Sequence, residues 1–125
     1  MFENDYIVRM ITDIVRAIIR LVLGKDIDKE ELINEAESPV TYQLNQELID
    51  MADNGDITGA ENRLYDMLNE DDMSTFELAM SFYLHINQYE ENFLDANDFS
   101  REEIKEGIFN ILTKFGVCLD ENILF

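Results

Sequence analysis

The sequence predicts an all-α protein of about six helices arranged mostly as antiparallel hairpins. Three observations predict it. One proline and five glycines among 125 residues leave few places where a helix must break. Start signals of the Ser, Asp and Asn type recur at helix-length intervals. Apolar residues return every three or four positions, and no stretch sustains the period of two that a half-buried strand needs. The length suits a single domain, 1–125, able to bury about two thirds of its unfolded surface. Within it, 1–24 reads as a long apolar N-terminal helix and candidate oligomerisation element, 38–70 as a repeat-like hairpin and 74–116 as a second hairpin.

The elements follow from their ends. Asn4 caps a first helix that runs to about Leu23, and Gly24 stands where a left-handed C-terminal residue is wanted. Asp28 with Glu31 gives a capping pattern for a short second helix, Lys29 to about Glu37. Ser38 and Pro39 start a third, with proline at the first helical position, and Gly55 ends it after Asn54. Asp56 caps a fourth, Ile57 to about Asn69, with Ile57, Ala60, Leu64, Met67 and Leu68 on one face. Ser74 and Glu77 make a capping box for a fifth, running to about Leu94. Its two apolar stripes, Phe76-Ala79-Met80-Tyr83 and Leu78-Phe82-Tyr89-Phe93, require burial on two sides. Ser100 and Glu103 box a sixth that ends near Phe115 and Gly116. The tail 117–125 closes on Ile123, Leu124 and Phe125 and is expected to pack down.

Charge sorts the function classes. Asp and Glu number 28 against 9 Lys and Arg, a net −19. At 46% hydrophobic residues the chain is still no disordered acidic tail. It does argue against direct nucleic-acid binding, whose affinity comes mainly from Lys and Arg on phosphates. The charge is uneven. Residues 1–25 hold four basic and three acidic side chains, while 26–125 hold five basic and 25 acidic, a balance of −20. Asp5, Arg9, Asp13, Arg16 and Arg20 interrupt the first apolar stretch, so neither a secretory leader nor a membrane span is expected. A cytoplasmic protein is expected, and the lone Cys118 fits a reducing compartment.

The first helix carries the functional expectation. Its polar residues Asp5, Arg9, Thr12, Asp13, Arg16 and Arg20 fill an arc of about 100°, leaving about 220° apolar. A helix resting on one core needs only about 100° of apolar face. The excess must be covered by another helix of the chain, by a second subunit, or by a membrane surface, which the acidic body disfavours. A subunit contact would use Ile7, Ile14, Ile18 and Leu21, with Arg9, Arg16 and Arg20 touching acidic surface or pairing locally with Asp5 and Asp13.

Two resemblances add to this. The stretch ADNGDITGAENRLYDML, with Leu44, Leu48 and Met51 before it, is similar to the turn and second helix of a tetratricopeptide repeat. The pattern departs from that family at Leu44, where a large aromatic is usual, at Met51, where Tyr is, and at Asp72, where Pro is. It does not recur one repeat later, since Tyr89 and Asp98 fall under Gly55 and Leu64. The resemblance implies a peptide groove near Tyr42, Asn45 and Gln46; a generic helical hairpin is the alternative. The opening residues Asn4-Asp5-Tyr6-Ile7, Arg9-Met10-Ile11 and Gly24-Lys25-Asp26 resemble a family of small uncharacterised acidic proteins of Gram-positive anaerobes. That family implies a helical fold and no mechanism.

Sites for chemistry are scarce. An EF-hand loop fails twice: with Gly59 at position six, Tyr65 falls at twelve, and with Gly55 there, Ala52 falls at three. The acidic runs 69–72 and 90–92 read as solvated rather than metal-binding. The lone His85 lies mid-helix, Cys118 reads as a buried thiol, and Ser38, Ser74 and Ser100 are explained as caps. No catalytic residue, cofactor or metal is expected. The expectation is a non-enzymatic protein–protein interaction module, a homo-oligomer through the first helix. The alternatives are an acidic nucleic-acid mimic that binds a basic protein, or a weak divalent-cation binder.

Overall fold

A helix apolar on two sides must lie between others, and the fold is organised around one such helix. The structure, a computed structural model, describes residues 2–25 and 32–117, with side chains from residue 5 onward. Its elements are α1 (Phe2–Leu23), α2 (Pro39–Asp53), α3 (Ile57–Met67), α4 (Met73–Ile86), α5 (Glu91–Ala96) and α6 (Arg101–Lys114). Among the described residues there are six helices and no strand. Helix α4 buries Phe76, Leu78, Ala79, Met80, Phe82, Tyr83 and Ile86, and it packs on α1, α2, α3 and α6.

Named contacts set the directions. Lys25 meets Glu77 at 3.0 Å beyond one end of α1, and Asn87 reaches Val8 near the other, so α1 runs antiparallel to α4. Helix α6 does likewise: Arg101 bonds Asn87, and Phe115 packs edge-on against Phe76 with centroids 5.3 Å apart. Helix α2 runs parallel to α4, since Asn45 faces Ser81 and Asp53 faces His85. Helix α3 returns along α2, as Arg63 and Glu47, equally far from Gly55 in sequence, pair at 3.5 Å. Gly55 makes this return at φ +99°, a backbone that favours glycine.

Several ends match the sequence reading. Asp56 Oδ1 accepts from the Gly59 amide, and the Ser100–Glu103 capping box forms in both directions. Others need correction. The first helix already runs at Asn4, so Asn4 is not its cap. Its length of 22 residues is as expected, but it is amphipathic rather than apolar, because the exposed residues Asp5, Arg9, Asp13 and Arg20 line one side. No helix among the described residues is long and apolar enough to cross a membrane. The expected second helix fails over 32–37, where the Asn34 side chain accepts from the Ala36 amide and a turn replaces the helix. Its start at residues 29–31, the tail 118–125 and Cys118 lie outside the described residues. Leu32 and Ile33 nevertheless enter the core. Helix α4 is capped by Asp72, not Ser74: the Ser74 amide and hydroxyl both donate to Asp72 Oδ1.

The expected fifth helix is two. It stops at Ile86 and resumes as α5, and the cause is Arg101. Its guanidinium, 9% exposed, donates to the carbonyls of Asn87 and of Tyr89, the latter at 2.8 Å. In an unbroken helix those oxygens would accept from amides four residues on. Arg101 also donates to Asn87 Oδ1 at 3.0 Å and, through Nε and Nη2, to Glu91 Oε1 at 3.1 and 2.9 Å. Asn87, fully buried, then donates across to the Val8 carbonyl at 3.0 Å and lies 3.3 Å from Thr12 Oγ1. One buried cation thus joins α6, the α4–α5 turn and α1.

Replacing Arg101 by Met leaves two buried carbonyls and a carboxylate without their donor. Urea unfolding followed by circular dichroism should show a loss of about 3–5 kcal/mol. Gly107 in α6 lies against Tyr83, whose ring would stand 2.4 Å from an added Cβ. Gly107→Ala should cost about 1–3 kcal/mol through overpacking, despite alanine's better helix propensity; a stabilised variant would contradict the close approach.

Candidate functional site

Packing divides α1 lengthwise. Ile11, Val15, Ile18 and Ile19 are buried at 0–1% exposure on the face that meets the body. The opposite flank keeps apolar surface in view. Tyr6 is 70% and Leu21 72% exposed, Ala17 is exposed, and Ile7, Met10 and Ile14 are half-buried. Of the four residues expected at a subunit contact, Ile18 is therefore removed: helical geometry places it with Ile11 and Val15 on the inner face. Ile7, Ile14 and Leu21 remain on the outer side. The excess apolar arc is thus covered in part by α4, and the remainder is bare of described residues. Arg9 and Arg20 are exposed, and among the described residues neither enters an ion pair, so Arg9 does not close on Asp5. Arg16 is half-buried and engaged.

The three groove residues are not displayed together. Asn45 is 6% exposed and accepts from Ser81 Oγ at 3.0 Å, which ties α2 to α4 and takes its amide away from a ligand. Tyr42 and Gln46 are half-buried, and Tyr42 packs against the core.

Two polar clusters lie on the body. At the C-terminal ends of α2 and α4, Asp53 Oδ1 is bonded by His85 Nε2 at 2.9 Å and by the Tyr89 hydroxyl, while the His85 and Tyr89 rings meet edge-on. Partial burial works to raise the Asp53 pKa. The hydrogen bonds from Tyr89 and His85 and the imidazole charge outweigh it and hold the carboxyl below its ordinary 3.8. Burial and the Asp53 carboxylate push the Tyr89 phenol well up, so it stays a proton donor. This His–Asp pair has a phenol beside it and no serine or cysteine nucleophile, and it acts as a clasp between helices.

The second cluster forms a cleft of about 210 Å³ between α3 and α6, lined by Glu61, Tyr65, Glu103, Glu106, Gly107 and Asn110 among others. The buried Tyr83 hydroxyl donates to Glu61 at 2.6 Å, with the Tyr65 oxygen 3.3 Å away. Burial raises the Glu61 pKa above its ordinary 4.5; the Tyr83 bond opposes this and the nearby Glu103 charge adds to it. Among the described residues, no three His, Cys, Asp or Glu side chains stand where a metal ion could be held. The acidic runs have local duties instead. In 69–72, Asn69 Oδ1 accepts from the Asp71 amide and Asp72 caps α4. In 90–92, Glu91 holds Arg101.

With this geometry in view, the comparisons with known proteins are brief. Residues 1–116 match a family described as a family of unknown function (DUF6483). The chain belongs to that family. No curated protein and no solved structure matches it. The match spans every described helix, so the α1 face, the Arg101 junction and the α3–α6 cleft all lie within the family's extent.

Sequence reasoning missed Arg101 and Asn87. The only available signal was an arginine opening a helix, where a cation opposes the helix dipole and so needs another reason to be there.

The two shifted carboxyls give opposite dependences on pH. Asp53, depressed on folding, contributes stability that is present above its unfolded pKa and lost as pH falls through the folded value. Glu61, raised on folding, contributes stability that is complete below its unfolded pKa and lost as pH rises through the folded value. Thermal midpoints measured from about pH 3 to pH 8 should therefore separate the variants. Asp53→Asn should fall below the parent at neutral pH, Glu61→Gln should rise above it, and both should converge on it in acid. Either sign reversed contradicts the stated causes.

Proposed function

We propose that this protein is a non-enzymatic interaction module that self-associates through the outer face of α1. The observation that carries the reading is the apolar flank on which Tyr6 and Leu21 remain more than two thirds exposed. Apolar surface of this kind, rimmed by charge, marks association sites. It lies on the one stretch that is nearly charge-balanced, whereas the body carries −20, so two copies meet there with the least mutual repulsion. Two-fold pairing is the commonest form of such association.

The single histidine, engaged with Asp53 and Tyr89, supports the non-enzymatic reading. The exposed carboxylates around the α3–α6 cleft, Glu103 and Glu106 among them, favour a second reading: an acidic surface that holds a basic protein in place of nucleic acid, or weakly binds a divalent cation. The repeat-like α2–α3 hairpin and a cytoplasmic setting belong to the same proposal.

Sedimentation velocity at tens of micromolar should give twice the 14.6 kDa chain mass. Leu21→Glu changes a side chain that is 72% exposed, so it should return the protein to the monomer with its helical dichroism unchanged. A parent protein that is monomeric at these concentrations overturns the reading.

A further inference from the structure

The outer face of α1 has a register. Ile7, Met10, Ile14, Ala17 and Leu21 are spaced alternately three and four residues apart, the core spacing of a coiled-coil heptad. With Ile7, Ile14 and Leu21 at a, the d positions are Met10 and Ala17. The g positions are then Tyr6, Asp13 and Arg20, all exposed. The e positions are Ile11 and Ile18, both sealed in the chain's own core. One flank of the seam is therefore available to a partner helix and the other is not.

This asymmetry sets the direction of pairing. Side by side in parallel, each g flank would face the other helix's e flank, and Asp13 and Arg20 would meet apolar side chains already buried. In an antiparallel pair g faces g. Resting on the homotypic reading above, we propose that α1 pairs with α1 of a second copy as a short antiparallel coiled coil, with Asp13 of each copy against Arg20 of the other. That pairing fixes the core layers: Leu21 against Met10, and Ile14 against Ala17, each occurring twice. The small Ala17 opposite Ile14 lets the helices approach closely. The charge row favours this register over the one centred a half-heptad earlier, which would set Asp13 against Asp13. An acid and a base placed reciprocally about one centre on a single helix are what a self-complementary, two-fold contact requires. Arg20, which makes no ion pair with a described residue, gains one, and each copy's acidic body points away from the seam.

The test is a charge exchange read as a dimer dissociation constant by sedimentation equilibrium. Asp13→Arg alone and Arg20→Asp alone should each weaken the dimer about tenfold, since both reciprocal contacts turn repulsive at once. The double variant Asp13→Arg/Arg20→Asp should return to within about threefold of the parent. Asp13→Asn removes the charge without adding bulk, and its weakening of about threefold keeps the test decisive should Asp13→Arg disturb the fold. A dimer indifferent to the single changes, or one that the double change fails to restore, overturns this register and leaves homotypic association standing. A monomeric parent overturns both.

Discussion

The rest of the structure depends on how one buried guanidinium is satisfied. In a chain of net −19, Arg101 could have taken any of many carboxylates at the surface. It is instead drawn inside, where Glu91 balances its charge and the carbonyls of Asn87 and Tyr89 take its remaining donors. A buried charge is tolerated only when it is both paired and fully hydrogen-bonded, and this one is. The consequences spread outward. By taking those carbonyls Arg101 ends α4 and turns the chain into α5. By holding Asn87 Oδ1 it aims the Asn87 amide at Val8 and Thr12 in α1.

That last contact connects the core to the surface. A helix packed only by aliphatic side chains can rotate a little about its axis at small cost. The Asn87 bond to a backbone carbonyl of α1, together with the Lys25–Glu77 pair at the far end, sets the rotation. The setting puts Ile11, Val15, Ile18 and Ile19 inward and leaves the Met10-Ala17-Leu21 row outward. The surface that α1 offers to a second copy is thus fixed by polar contacts on its hidden side. The same reasoning separates the clusters that staple from the face that binds. Asp53 with His85 and Tyr89, and Tyr83 with Glu61, each bridge two elements of one chain and leave no reactive group free.

Much of this was legible in the sequence where a local rule governs. Helix starts at Ser100, Asp56 and Pro39 are short-range patterns, and the structure keeps them. The two-sided burial of the Phe76–Ile86 stretch followed from its double stripe, and so did its contact with α1. The over-wide apolar arc of α1 was also visible, but not which part of it stays outside. Ile18 and Leu21 look alike in a helical wheel, and only the body's position makes one core and the other surface. What failed was long-range or competitive. The break after Ile86 comes from a residue fourteen positions later, and no window along the chain contains its cause. The turn at 35–37 comes from a side chain that outcompetes the helix for one amide. The family match extends over all six helices and adds no chemistry, so the functional reading rests on the α1 face itself.

The central claim is that a second copy covers that face. Isotope-filtered nuclear Overhauser spectroscopy on an equimolar mixture of labelled and unlabelled chains tests it most directly. The account predicts contacts between chains that join the Leu21 methyls of one to the Met10 methyl of the other, and Ile14 to Ala17. Methyl groups of Leu21 and Ile14 that show contacts only within their own chain, at concentrations where a dimer would be full, would contradict it.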